Sequence, residues 1–99
     1  MKNIIYPNVI VGNETLIEPP SIIGKPPRGV DSGDLQLKIG GNGQIRPFTT
    51  IYAGSGIGDY FQTGQGVSIR EDNIIGNNVS IGTNSVLEFG NRIGDYSRI

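Results

Sequence analysis

The chain has 99 residues, enough for one small domain. Eight Lys and Arg against nine Asp and Glu leave a formal charge of −1, so no basic face for nucleic acid or an acidic membrane is indicated. Cysteine and histidine are both absent, which excludes disulfides, thiol catalysis and Cys/His metal sites and removes the usual general base near pH 7.

No 18-residue apolar run suits a transmembrane helix, and the N-terminal MKNIIYPNVIVGNETL meets Pro7 too early for a signal peptide. The expected compartment is the cytoplasm. The first regular feature is a beat of six: Ile5, Val11, Ile17, Ile23. From Ile23 to Ile39 is sixteen residues, read as two repeats plus four. The stretch GKPPRGVDSGDLQLK (24–38), rich in Pro and Gly, is expected to loop out there. A tolerated surface insertion and one wall of a substrate pocket are both open readings.

From Ile39 the beat runs without a slip through Ile45, Ile51, Ile57, Thr63, Ile69, Ile75, Ile81, Leu87, Ile93 and Ile99; ten of these eleven are Ile or Leu. A period of six fits neither a helix nor a plain strand. It fits a short strand followed by a turn, repeated. The column three places on reads Asn42, Phe48, Gly54, Tyr60, Gly66, Asp72, Asn78, Asn84, Gly90, Tyr96. Seven of these ten are Gly, Asn or Asp, the residues that tolerate the positive φ of a sharp corner. The column four places on is Ser, Thr or Val at six of ten positions, small enough to sit inside a corner. Helical signals are nearly nil, because no long stretch avoids Gly or Pro.

These columns resemble the hexapeptide repeat of left-handed parallel β-helices, in which three hexapeptides form one triangular coil of 18 residues. The resemblance implies an all-β, single-domain left-handed parallel β-helix over 1–99, with coils at 1–23 and 39–99. Its handedness comes from the resemblance alone and runs against the usual right-handed crossover. Ile99 is a core position at the start of a repeat, so a fragment of a longer protein is expected; the other reading is that another chain covers that end.

The run IYAGSGIGDYFQTGQGVSIREDNIIGNNVSIGTNSVLEFG (51–90) resembles a subgroup of hexapeptide acyltransferases that acylate amino sugars, often nucleotide-linked. In that subgroup the segment TGQGVSIRED carries His where Gln65 stands here, as general base or hydrogen-bond partner of the attacking amine or hydroxyl. The resemblance implies acetyl-CoA as co-substrate with no tightly bound cofactor, a small-molecule sugar acceptor, a homotrimer, and no metal. Gln65 can donate and accept hydrogen bonds but cannot take a proton near pH 7. An impaired or silent site is therefore expected, and a merely solvated corner residue is the plainer reading of Gln65.

Candidate substrate-binding residues around that position are Arg46, Glu71, Thr83 and Asn84. The 18-residue period puts Pro47, Gln65 and Thr83 in one corner column, beside Gly64, Gly66 and Gly82, where missing side chains would let a ligand or subunit come close. Tyr52, Arg70 and Glu88 stack at the next corner, with an Arg70–Glu88 ion pair expected. Gly40, Gly58, Gly76 and Gly94 form a structural column at the third. Thr63 is expected to fill an inner position with a satisfied hydroxyl. Phe48, Tyr60 and Tyr96 break the corner rule and are candidates for subunit contacts, or simply exposed. A non-catalytic β-helical scaffold, natural or engineered, is the competing function, favoured by Gln65. β-Helical carbonic anhydrases need zinc-binding histidines, and ice-binding β-helices need regular Thr columns; neither is present.

Overall fold

Each hexapeptide has room for one short strand. The aliphatic residue faces inward, its predecessor faces outward, and a left-handed residue three places on turns the chain through a corner. In the computed structural model, which describes residues 1–99, this unit repeats as fourteen strands and no helix. No helix is therefore long and apolar enough to cross a membrane. The strands are β1 (Ile4–Ile5), β2 (Val9–Val11), β3 (Leu16–Ile17), β4 (Ile22–Lys25), β5 (Leu37–Ile39), β6 (Gln44–Ile45) and β7 (Thr50–Tyr52). The second half holds β8 (Gly56–Ile57), β9 (Gln62–Thr63), β10 (Ser68–Ile69), β11 (Ile74–Ile75), β12 (Ser80–Ile81), β13 (Val86–Leu87) and β14 (Arg92–Ile93).

Every third strand pairs, always in parallel, giving three sheets ordered β1-β4-β7-β10-β13, β14-β11-β8-β5-β2 and β12-β9-β6-β3. The registers Ile51↔Ile69, Ile57↔Ile75 and Thr63↔Ile81 are each 18 residues apart, as the columns predict. Three all-parallel sheets of stacked short strands are consistent with a parallel β-helix. Nine consecutive beats, Ile39 through Leu87, are buried, Thr63 among them. Phe61, from the column expected to hold small residues, is also buried; its neighbours in that column are Gly43 and Val79.

Successive coils are joined in both directions. Along the strands, the N–H after an inward residue donates to the inward residue's carbonyl one coil on, as in Gly58→Ile75 (2.9 Å) and Gly76→Ile93 (2.8 Å). At the corners the left-handed residue donates back one coil, as in Tyr60→Gly41 and Asn78→Asp59 (both 2.8 Å). All ten corner positions from Asn42 to Tyr96 have positive φ, the three aromatics included. The backward hydrogen bond sets that conformation, whatever the side chain.

The insertion differs from the expectation. Val11↔Ile39, Ile17↔Ile45 and Ile23↔Ile51 are each 28 residues apart, which is 18 plus 10. One edge therefore carries ten extra residues; it is not two edges plus four. Leu37 and Ile39 already belong to β5 and are buried, so the unpaired stretch is 26–36. A bulge starts it: the β4–β7 register slips between Ile23 and Lys25, with Gly24 at φ +84° lying against Val9. Two hydrogen bonds then tie the loop to the next coil, Ala53 N–H to Lys25 O and Gly54 N–H to Gln36 O, both 2.9 Å.

Candidate functional site

Four of the five predicted residues meet at the corner joining the β12-β9-β6-β3 sheet to the β1-β4-β7-β10-β13 sheet. Gln65 is exposed there, on a backbone held from both sides. Gly66 N–H donates to Pro47 O (3.1 Å) on one coil, and Asn84 N–H donates to Gln65 O (2.8 Å) from the next. The corner column Pro47, Gln65, Thr83 is therefore as the period predicts.

The flanking glycines are used differently from the expectation. A Cβ on Gly64 would lie 2.6 Å from Thr83 N and against Thr83 Oγ1; one on Gly66 would meet Asn84 Oδ1. The close approach that requires glycine is made by the chain's own next coil. Thr83 and Asn84 thus form the neighbouring rung beside Gln65, and both are exposed.

Arg46 is tied into the coil. At Gly40, Gly58, Gly64, Arg70, Gly76 and Gly82 the N–H following an inward residue donates to a main-chain carbonyl. Arg46 N–H instead donates to Thr63 Oγ1 (3.0 Å), and the Arg46 guanidinium takes Thr63 O (2.9 Å). Thr63 Oγ1 also lies 3.2 Å from Thr49 Oγ1, whose hydroxyl donates to Arg46 O (2.7 Å). The Thr63 hydroxyl is fully satisfied, as expected, within a ring closed through Arg46.

Glu71 sits apart from the other four, past β10 at the following corner. It accepts from Arg70 Nε at 3.1 Å, the chain's one ion pair. The expected Arg70–Glu88 pair does not form: the adjacent Glu71 reaches Nε, while the Arg70 guanidinium lies 4.6 Å from the Tyr52 ring centroid. The same corner holds a buried polar stack. Asn73 donates to Arg70 O (2.8 Å), accepts from Asn91 N–H (2.9 Å), and its own N–H donates to Ser55 Oγ (3.1 Å).

The third corner is structural. Asp59, Asn77 and Asp95 each fold back one coil to accept a main-chain N–H, from Gly41 (2.9 Å), Asp59 (2.8 Å) and Asn77 (2.7 Å). Those side chains lie over Gly40, Gly58 and Gly76, where a Cβ would collide.

Two cavities open on the surface, and none of the five predicted residues lines either. One, of about 250 Å³, lies between Ile4, Ile22 and Phe48. The other, of about 590 Å³, is walled by Lys25, Pro26, Arg28, Tyr52 and Arg70. Sequence reasoning missed the second, because Arg28 lies in the aperiodic insertion and Lys25 reaches Tyr52 only through the register slip beside it. No three carboxylates converge to hold a metal ion. Comparison of the chain with family models, curated proteins and solved structures returns no match.

Proposed function

We propose that this chain is a left-handed β-helical acyltransferase of the hexapeptide-repeat type, working in the cytoplasm as a homotrimer. It moves an acyl group, acetyl in the simplest case, from a coenzyme A thioester to an amino sugar or nucleotide-linked sugar. The observation that supports this reading most is the geometry of one corner: a backbone fixed by both neighbouring coils presents the side chains of Gln65, Thr83 and Asn84 together, all exposed. A neutral acceptor amine attacks the thioester carbonyl, the new C–N bond forms, the C–S bond breaks, and coenzyme A leaves as the thiolate. The Gln65 carbonyl accepts a hydrogen bond from the attacking N–H and orients it. It cannot take the proton, which passes to water, so turnover is slow, and slowest with a hydroxyl acceptor.

The test is release of coenzyme A thiol from acetyl-CoA, with an amino-sugar nucleotide and a hydroxyl sugar as acceptors. Gln65→His is expected to raise the hydroxyl rate by roughly 100- to 10,000-fold, the usual range of general-base assistance. The amine rate should rise less, and Gln65→Ala should lower it. Equal rates for all three chains, or no acceptor-dependent release from any, overturn the reading.

A scaffold without catalysis is the second reading. It is favoured by Thr83 and Asn84 closing the space at Gly64 and Gly66, and by Arg46 being held within the coil.

A further inference from the structure

Outside the corner of Gln65, the chain sets two cations over one aromatic ring, and a third lines the same cavity. Lys25 stands at the end of β4, where the bulge at Gly24 sets it opposite Tyr52 rather than in simple register. Its Nζ lies 5.9 Å from the Tyr52 ring centroid. Arg70, one coil further along the same column, stands 4.6 Å from that ring. Arg28 projects from the inserted loop, where Val30 N–H closes a turn on Pro27 O (3.1 Å). Together with Pro26 they wall the cavity of about 590 Å³, and no carboxylate belongs to its lining.

This arrangement leaves positive charge unanswered. Glu71 engages only Nε of Arg70, so both terminal nitrogens of its guanidinium are free, and Lys25 and Arg28 have no ion-pair partner. Three like charges drawn toward one cavity repel each other, yet the fold holds each cation from a separate anchor: a bulge, a loop turn and an aromatic stack. Such a site is complete only with an anion. Two guanidinium forks and an ammonium suit several oxyanion oxygens at once, where a single carboxylate would occupy one fork. The volume falls within the range of small-molecule sites, roughly 300–1,000 Å³.

We infer that this cavity binds a diphosphate group. The inference does not depend on acyl transfer at Gln65. Two sources would present the same group: a nucleoside diphosphate, as in a nucleotide sugar, and the diphosphate of coenzyme A.

The test is isothermal titration of the 99-residue chain with inorganic pyrophosphate, with acetate as the carboxylate reference. Saturable binding is expected with pyrophosphate, at least tenfold tighter than with acetate, weakening as salt rises. Arg70→Gln and Lys25→Gln should each weaken it by roughly 10- to 100-fold, the usual range for a lost charged hydrogen bond. Arg70→Lys keeps the charge but loses the fork and should still bind more weakly. Arg92→Gln, on the outer face of β14 and away from the cavity, should bind as the parent does. Circular dichroism confirms that each variant keeps its sheets. Uridine diphosphate and coenzyme A are then titrated separately; the tighter of the two identifies the source. Absence of saturable binding, parity between pyrophosphate and acetate, or an equal loss in Arg92→Gln overturns the inference.

Discussion

Thr63 is the one residue of the long inward column that is not aliphatic, and a consensus view of the repeat would replace it. The structure argues the opposite. Thr63→Val keeps the shape of the buried side chain and removes only the hydroxyl. That hydroxyl accepts Arg46 N–H at 3.0 Å and pairs with Thr49 Oγ1 at 3.2 Å, in a residue with no exposed surface. The carbonyl that Arg46 N–H would otherwise use is already held by the Arg46 guanidinium at 2.9 Å. Losing this part-buried hydrogen bond costs about 0.5–1.5 kcal/mol. For a domain of this size each kcal/mol lowers Tm by roughly 4–8 °C. Thermal melts of parent and Thr63→Val measure the loss, and amide hydrogen exchange at Arg46 locates it. Arg46 N–H should exchange faster in the variant while Gly64 N–H, bonded to Ile81 O, stays as it was. A variant at least as stable as the parent, with Arg46 still protected, would mean that the strand ladder closes in its ordinary form and the hydroxyl contributes nothing.

Two further substitutions examine the corners. Gly58→Ala places a Cβ 2.7 Å from Gly76 O and against Asn77 Oδ1; displacing Asn77 from Asp59 N–H should cost about 1–3 kcal/mol in urea unfolding, whereas Gly94→Ala, with nothing within 4 Å, should stay within about 0.5 kcal/mol. Tyr60 holds φ at 57° while half its surface is exposed; since the left-handed conformation costs an ordinary residue roughly 1–2 kcal/mol and Asn less, Tyr60→Asn should raise urea stability by up to about 1 kcal/mol. A loss of stability that grows on dilution would instead place Tyr60 in a subunit contact.

The six-residue beat made the inward column readable, since an aliphatic residue every sixth place has no other economical explanation than burial on one side of a short repeated edge. Corner conformation was readable at Asn42, Asp72 and Asn78, whose side chains advertise positive φ. It was hidden at Phe48, Tyr60 and Tyr96, because a hydrogen bond to the preceding coil imposes it there. The length of the insertion is ambiguous in the sequence for a related reason. Sixteen residues between Ile23 and Ile39 divide equally well into twelve plus four or six plus ten, and only the partner of Ile23 decides. That partner is Ile51. Column spacing alone matches Arg70 to Glu88, and it cannot weigh a neighbour in sequence against a neighbour in the stack.

The candidate site is harder to read than the fold, and the contrast between corners explains why. At the third corner the sequence repeats nearly unchanged: Gly40-Gly41-Asn42, Gly58-Asp59-Tyr60, Gly76-Asn77-Asn78, Gly94-Asp95-Tyr96. From Asp59 on, the carboxylate or amide in each is used by the coil beneath it. Repetition there follows from a stacking requirement that every coil shares. At the corner of Gln65 the same three places read Arg46-Pro47-Phe48, Gly64-Gln65-Gly66 and Gly82-Thr83-Asn84. Only Arg46 hydrogen-bonds its side chain to the coil; the Gln65 and Thr83 side chains make no hydrogen bond, and the backbone there is held by main-chain bonds. Stacking needs neither an amide at 65 nor a hydroxyl at 83, so these side chains are free to answer to a ligand. The cationic cavity is hidden in the sequence by the opposite route. Lys25 and Arg28 obey no period, and only the bulge that returns Lys25 to Tyr52 brings them to Arg70. In a coiled fold of this kind, the repeat identifies what stability requires, and chemistry is to be sought where a corner departs from its neighbours or where the chain leaves the coil.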